Sequence, residues 1–90
     1  MLARFVITFD VRSTEAGDER RRELNDALRA YQDAVHFQRS CWIVVSGLKP
    51  EQLYERLLTH LDPEDGDWLF VCQYMLSCPR AEDLRPGQFQ

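Results

Sequence analysis

The chain has no apolar run approaching the ~18 residues that a membrane helix needs, and no charged-then-apolar opening of the kind that marks a secretory leader. Cysteine is scarce: Cys41, Cys72 and Cys78 form an odd set with no CxxC pair. Together these absences predict a protein of the reducing cytoplasm with no membrane partner. Cys41 and Cys72 lie inside apolar strand candidates, where a free cysteine behaves as a small core hydrophobe. A zinc–thiolate centre needs His or Cys at ligand spacing, and His36 and His60 do not provide it with any cysteine. Positive charge is not in excess either. The formal net charge is −4, which argues against a broad nucleic-acid-binding surface, because phosphate affinity comes mainly from Lys and Arg. A local basic patch stays open, since Arg12, Arg20, Arg21, Arg22 and Arg29 fall within one short segment.

What is present reads as one ordinary globular domain of 90 residues, 44% hydrophobic and 29% charged. A chain this short buries only about 60–65% of its unfolded surface, so dimerisation would help it. Residues 3–11 alternate with period two, placing Phe5, Ile7, Phe9 and Val11 on one apolar face of a strand. Residues 13–17 read as a loop and Asp18 as a helix N-cap. Leu24, Ala27, Leu28 and Tyr31 then recur at helical spacing. Three cations, Arg20 to Arg22, on the first turn of that helix oppose its dipole, and nearby acids offset them in part. The run AVHFQRSCWIVVSG is too long for one strand and divides at residues 38–40 into two, 35–38 and 41–46. Pro50 at a first helical position opens a second helix, with Leu53, Tyr54, Leu57, Leu58 and Leu61 as its stripe. DPEDGD, residues 62–67, reads as a solvated acidic turn that lacks the pattern of a calcium loop. Residues 68–75 are almost continuously apolar, as in a strand buried on both faces or one at a dimer seam.

The order β-α-β-β-α-β predicts an α+β, ferredoxin-like sandwich: a four-stranded antiparallel sheet with two helices on one face. The crossover rule places the first strand centrally, beside the third. The domain spans residues 1–76, and residues 77–90 form an extended tail at a possible dimer interface. No helix remains to cover the other sheet face. Val6, Trp42, Val44 and one parity of the last strand, including Trp68, are expected to point there. An apolar face of that size predicts a homodimer.

The alternation puts Asp10 on the same uncovered face, at the end of a central strand. In a face-to-face dimer, two such carboxylates can hold a hard cation such as Mg²⁺, which keeps several waters and activates one for phosphodiester hydrolysis. The plain alternative is an Asp that caps a turn. Other residues carry similar double readings. Ser13 and Thr14 either position a phosphate or begin a helix. Arg12, Arg20, Arg21 and Arg22 are a phosphate patch or a solvated surface. Arg39 and Ser40 are turn residues or partner contacts. Trp42 and Trp68 are core or interface anchors rather than base-stacking platforms. His36 and His60 have no visible acid–base partner.

FVITFDV, the arginine-rich RRRELNDALRAY helix and VHFQRSCWIV resemble the Cas2 family of CRISPR-associated small nucleases. Phe9-Asp10-Val11 stands where that family ends its first strand, and Phe37-Gln38-Arg39-Ser40-Cys41-Trp42 where its hairpin strand lies. LKPEQLYERLLTHLDPEDGDWLFV resembles the small Cas2-like proteins labelled SinR-like. The resemblance covers residues 4–75 and implies a ferredoxin-like homodimer with Asp10 at its interface. It further implies that Asp10 is the catalytic ligand of Mg²⁺ or Mn²⁺ in an endonuclease cutting RNA or DNA. The non-catalytic alternative is a dimeric scaffold, with a Cas1-like protein in CRISPR adaptation, or a toxin–antitoxin-type module bound to a partner protein. The acidic balance and the proline-containing tail depart from the family pattern.

Overall fold

The computed structural model describes residues 2–74; Met75, Cys78 and the whole predicted tail lie outside them. Strand β1 (Ala3–Asp10) is followed by helix α1 (Glu15–Arg29), the hairpin strands β2 (Gln32–Gln38) and β3 (Cys41–Ser46), helix α2 (Pro50–Leu58) and strand β4 (Trp68–Gln73). A short 3₁₀ turn, Pro63–Asp65, leads into β4. The sheet order is β2-β3-β1-β4 with every neighbouring pair antiparallel. This is the split-βαβ sandwich expected from the element order, with β1 central beside β3.

Period-two burial of β1 sets the layers. Phe5, Ile7 and Phe9 are buried on one face, while Arg4, Val6 and Thr8 are half-buried and Asp10 is exposed on the other. The buried face takes Leu24 and Leu28 of α1 and Leu53 and Leu57 of α2, with Val11, Leu61 and Leu69 closing the same core. Each such side chain contributes about 1.5–3 kcal/mol when fully buried.

Trp42 and Val44 belong to this helix-facing core, which corrects their expected place on the open face. The register explains it: Phe5 pairs with Val44 and Ile7 with Trp42, and directly opposed residues share a face. The residues of β3 that point the other way are Cys41 and Ile43, which cluster with Phe37, Val6, Val35 and Tyr74. Strand β4 is not buried on both faces. Leu69 is covered, but Trp68 and Phe70 are 50% and 54% exposed.

Helix α1 begins earlier than Asp18. Thr14 is its N-cap, with Oγ1 accepting the Gly17 N–H at 3.0 Å. Glu15 and Asp18 then occupy the first turn, and Arg20 to Arg22 move to the second, away from the positive end of the dipole. The β2–β3 connection is tight, with Gln38 paired to Cys41 across Arg39 and Ser40. Positive φ at a non-glycine residue occurs only at Asp33 among the described residues, so this is not a primed hairpin turn. A register shift between His36 and Gln38 reconciles the strands instead. No described helix is long and apolar enough to cross a membrane.

Candidate functional site

The C-terminal end of β1 brings together the β1–α1 loop, the β2–β3 turn and the loop before β4. Asp10 is the last residue of β1 and pairs with Trp68 of β4. Its side chain is exposed on the sheet face that carries no helix. Among the described residues it makes no hydrogen bond or ion pair, so it is not the cap of the following turn. That task falls to other groups. Thr14 caps α1, and Asp67 binds the loop.

The sequence predicts Asp67 in a solvated turn. The structure instead buries its carboxylate completely and surrounds it with donors. Arg20 Nε donates to Oδ2 at 2.7 Å and Arg20 Nη2 to Oδ1 at 3.2 Å. The Asp62 N–H donates to Oδ2 at 2.9 Å, and the Arg12 N–H to Oδ1 at 3.2 Å. Burial pushes this carboxyl up, but the hydrogen bonds from Arg20, Asp62 and Arg12 outweigh it and hold it below the usual carboxylate range. Reciprocally, the bonds to Asp67 and then Asp65 raise the Arg20 guanidinium. Asp65 accepts from Arg20 Nη2 at 2.8 Å and from Arg12 Nη1 at 3.4 Å. Arg20 is therefore a structural clasp between α1 and the loop before β4. It is separated in role from the other predicted phosphate ligands.

Arg21 takes a different direction. Its Nη1 donates to Ser40 Oγ at 2.8 Å, and its guanidinium carbon lies 5.5 Å from the centroid of the Phe9 ring. Ser40 in turn accepts the Phe9 N–H through its carbonyl at 3.1 Å. Arg21 and the hairpin turn are thus fixed next to the residue preceding Asp10. Arg22 is exposed and has no hydrogen-bond or ion-pair partner among the described residues. Arg12 is exposed and its side chain reaches only Asp65 among the described residues.

The remaining candidates divide cleanly. Trp42 is buried and donates Nε1–H to Asn25 Oδ1 at 3.0 Å, so it cannot stack a base. His36 stacks on it with centroids 4.3 Å apart and donates Nε2–H to the Arg39 carbonyl at 3.1 Å. The histidine is a packing residue of the hairpin. His60 is half-buried and lines a groove between the helices with Ala27, Tyr31 and Arg56. Burial pushes the Cys41 thiol up, in keeping with a core role, while Cys72 is exposed beside Val6 on the open face. Trp68 stands on that face opposite Asp10, as expected.

No group of three or more metal-ligating His, Cys, Asp or Glu occurs among the described residues. Asp10 stands apart from any such cluster, as a single exposed carboxylate. Mg²⁺ is commonly bound through one or two carboxylates with the remaining positions filled by water or substrate phosphate, which fits a pair of Asp10 side chains better than one.

No protein-family model matches the sequence, and no curated protein does. Among solved structures, the fold is similar to that of Streptococcus pyogenes Cas2 in its crystal structure at pH 6.5. The identity is 22%, the TM-score 0.57, and the match covers 82% of this chain and 86% of that one. The two-helix, four-strand sheet described above is a Cas2-like fold.

Proposed function

We propose that two copies of this chain pack their open sheet faces together, bring their Asp10 carboxylates around one Mg²⁺ or Mn²⁺, and act as an endonuclease on phosphodiester bonds of RNA. The observation that carries this reading is the state of Asp10: a solvent-facing carboxylate with no partner among the described residues, ending a central strand. It lies opposite an aromatic residue that is itself half exposed. A turn-capping aspartate would be bonded to backbone N–H groups; here Asp67 does that work. The likeness to Cas2 supports the arrangement.

The Asp10 carboxylates of the two chains would hold the divalent cation, which would supply the charge that activates water for phosphodiester hydrolysis. The protein's own contribution is placement. Strand β1 is held between β3 and β4, and the Asp67 clasp fixes the loop that follows it. Arg21, anchored on Ser40, sets a cation at the same end of the sheet.

The test is cleavage of single-stranded RNA with Mg²⁺ or Mn²⁺ by wild type and by Asp10→Ala. The expected result is cleavage by wild type and loss of at least about 100-fold in rate for the variant, with an unchanged melting temperature because Asp10 is exposed. Equal cleavage by both proteins overturns the reading.

A second reading is a non-catalytic dimeric scaffold, or a toxin–antitoxin-type module, that binds a partner protein; a Cas1-like partner in CRISPR adaptation belongs here. The net charge of −4 and the use of Arg20 inside the fold favour it. A wild-type dimer that binds but never cleaves RNA supports this reading over the first.

A further inference from the structure

We infer that a groove between α1 and the β2–β3 turn, lined by Asp18, Arg21, Arg22, Asn25, Arg29 and Arg39, is the seat of a nucleic-acid strand, held by its phosphates and not by its bases. The inference deepens the proposed phosphodiester chemistry by saying where the strand lies, but it concerns binding alone.

The groove is shallow, with a volume of about 400 Å³, and four of its six lining residues are arginines against a single carboxylate. That concentration of positive charge stands out in a chain whose net charge is −4. Sequence proximity selects Arg12 and Arg20 for such a patch; the fold removes them to the Asp65–Asp67 clasp. In their place it brings Arg29, two turns along α1, and Arg39 from the hairpin.

The four guanidinium groups are not equivalent. Arg21 is immobilised on Ser40 Oγ and against the Phe9 ring. Arg29 is held by Asp26 at 2.7 Å, with its guanidinium carbon 5.8 Å from the Trp42 ring centroid. Arg22 and Arg39 are exposed and make no hydrogen bond or ion pair with a described side chain. Two cations are thus pre-positioned and two are available to close on a ligand. Asn25 accepts Trp42 Nε1–H through its amide oxygen, which leaves its amide donors to the groove.

The chemistry of the lining selects the ligand. Planar guanidinium forks match the paired oxygens of a phosphate. The lining holds no aromatic ring for a base to stack on, and Trp42 beneath it is only 2% exposed. An acidic peptide offers carboxylates on separate flexible side chains, whereas a nucleic-acid strand presents a phosphate at every residue along a continuous backbone; competition by poly-glutamate tests the difference. The groove lies at the same end of the sheet as Asp10, on the opposite face: Arg21 donates to Ser40, whose carbonyl accepts the N–H of Phe9.

The test is fluorescence anisotropy of labelled single-stranded and duplex RNA and DNA oligonucleotides, in EDTA, with salt raised from about 50 to about 200 mM. Wild type and Asp10→Ala are expected to bind alike, which separates this inference from the fate of the nuclease reading. Arg22→Ala/Arg39→Ala is expected to weaken binding at least about tenfold for every sequence. It should also flatten the dependence of log K on log salt by about 1.4 for single strands, at about 0.7 per lost phosphate contact. The matched control, Lys49→Ala/Arg56→Ala, removes two exposed charges, one at the N-cap of α2 and one in its last turn, and should change little. Single strands binding more tightly than duplexes, or the reverse, identifies the form of the ligand. Equal weakening by the control pair, no measurable binding at low salt, or displacement by poly-glutamate as effective as by unlabelled oligonucleotide overturns the inference.

Discussion

Asp67 shows how one side chain can hold three segments. Its two oxygens accept from α1 through Arg20, from the β1–α1 loop through the Arg12 N–H, and from the start of its own loop through the Asp62 N–H. Removing one member of a buried ion pair leaves the other charge uncompensated and costs about 3–5 kcal/mol. Arg20 keeps some solvent contact and its bond to Asp65, so the lower end applies. Asp67→Ala should therefore destabilise the fold by about 3 kcal/mol, a large share of the total for a small domain, as read by chemical denaturation. The same carboxylate sets an acid limit. Its folded pKa lies below the unfolded value of about 3.9. Its contribution is thus complete above that value and is lost as pH falls toward the folded pKa. Wild type should lose stability below about pH 4 more steeply than Asp67→Ala, whose stability no longer includes this contribution. Parallel pH profiles for the two proteins would show that Asp67 is not the acid-sensitive group.

At the scale of elements, α1 contains a glycine whose presence has a tertiary cause. Gly17 lies in the first turn and is buried. A Cβ there would meet the carbonyl oxygen of Arg12, with Thr14 Oγ1 at 3.2 Å as well. Helix propensity alone predicts that Gly17→Ala stabilises by about 1 kcal/mol. Backbone has to move to admit the methyl group, so the expected result is instead a loss of about 1–3 kcal/mol, measured by thermal or urea unfolding. A gain in stability would show that the loop yields freely. The same glycine explains why the sequence pattern places the start of α1 too late. Residues 13–17 carry the Ser, Thr and Gly that mark loops, and the close approach that requires glycine is set by the loop's return against the helix.

The element order and β1's alternation were legible because each is local and repeated over many residues. The face assignment of β3 was not. All six of its residues are buried and Cys41 to Val45 include no charged or exposed position to fix its parity, so only pairing with β1 places Trp42 and Val44 among the helices. The clasp was equally hidden, since Arg20 and Asp67 are 47 residues apart and each resembles its exposed neighbours. The exposed place of Asp10 on the open face could be read because it breaks an apolar strand. Arg29 and Arg39 could not be assembled into one groove without the register of the hairpin.

For the molecule as a whole, the asymmetry between its two sheet faces decides what it can do. One face is sealed by α1 and α2. On the other, Trp68 and Phe70 expose half their surface in line with Asp10 and Thr8, which they oppose across the ladder. A twofold dimer through this face uses the same patch twice, so each substitution acts on both copies. Burying one Phe70 contributes about 1.5–3 kcal/mol, and replacing it by Asp adds a like charge near Asp10 in each chain. Phe70→Asp should thus weaken the dimer by at least about 100-fold, equivalent to about 2.7 kcal/mol. In sedimentation velocity, wild type should run at twice the 10.6 kDa chain mass and the variant at the single-chain mass. Folding of the variant should be intact, because Phe70 is outside the core. RNA cleavage should fall with the dimer, since a lone chain offers one carboxylate to the cation, whereas binding at the arginine groove on the helix side should persist. Cleavage that survives in a proven monomer would place the chemistry within a single copy and remove the need for paired Asp10 residues.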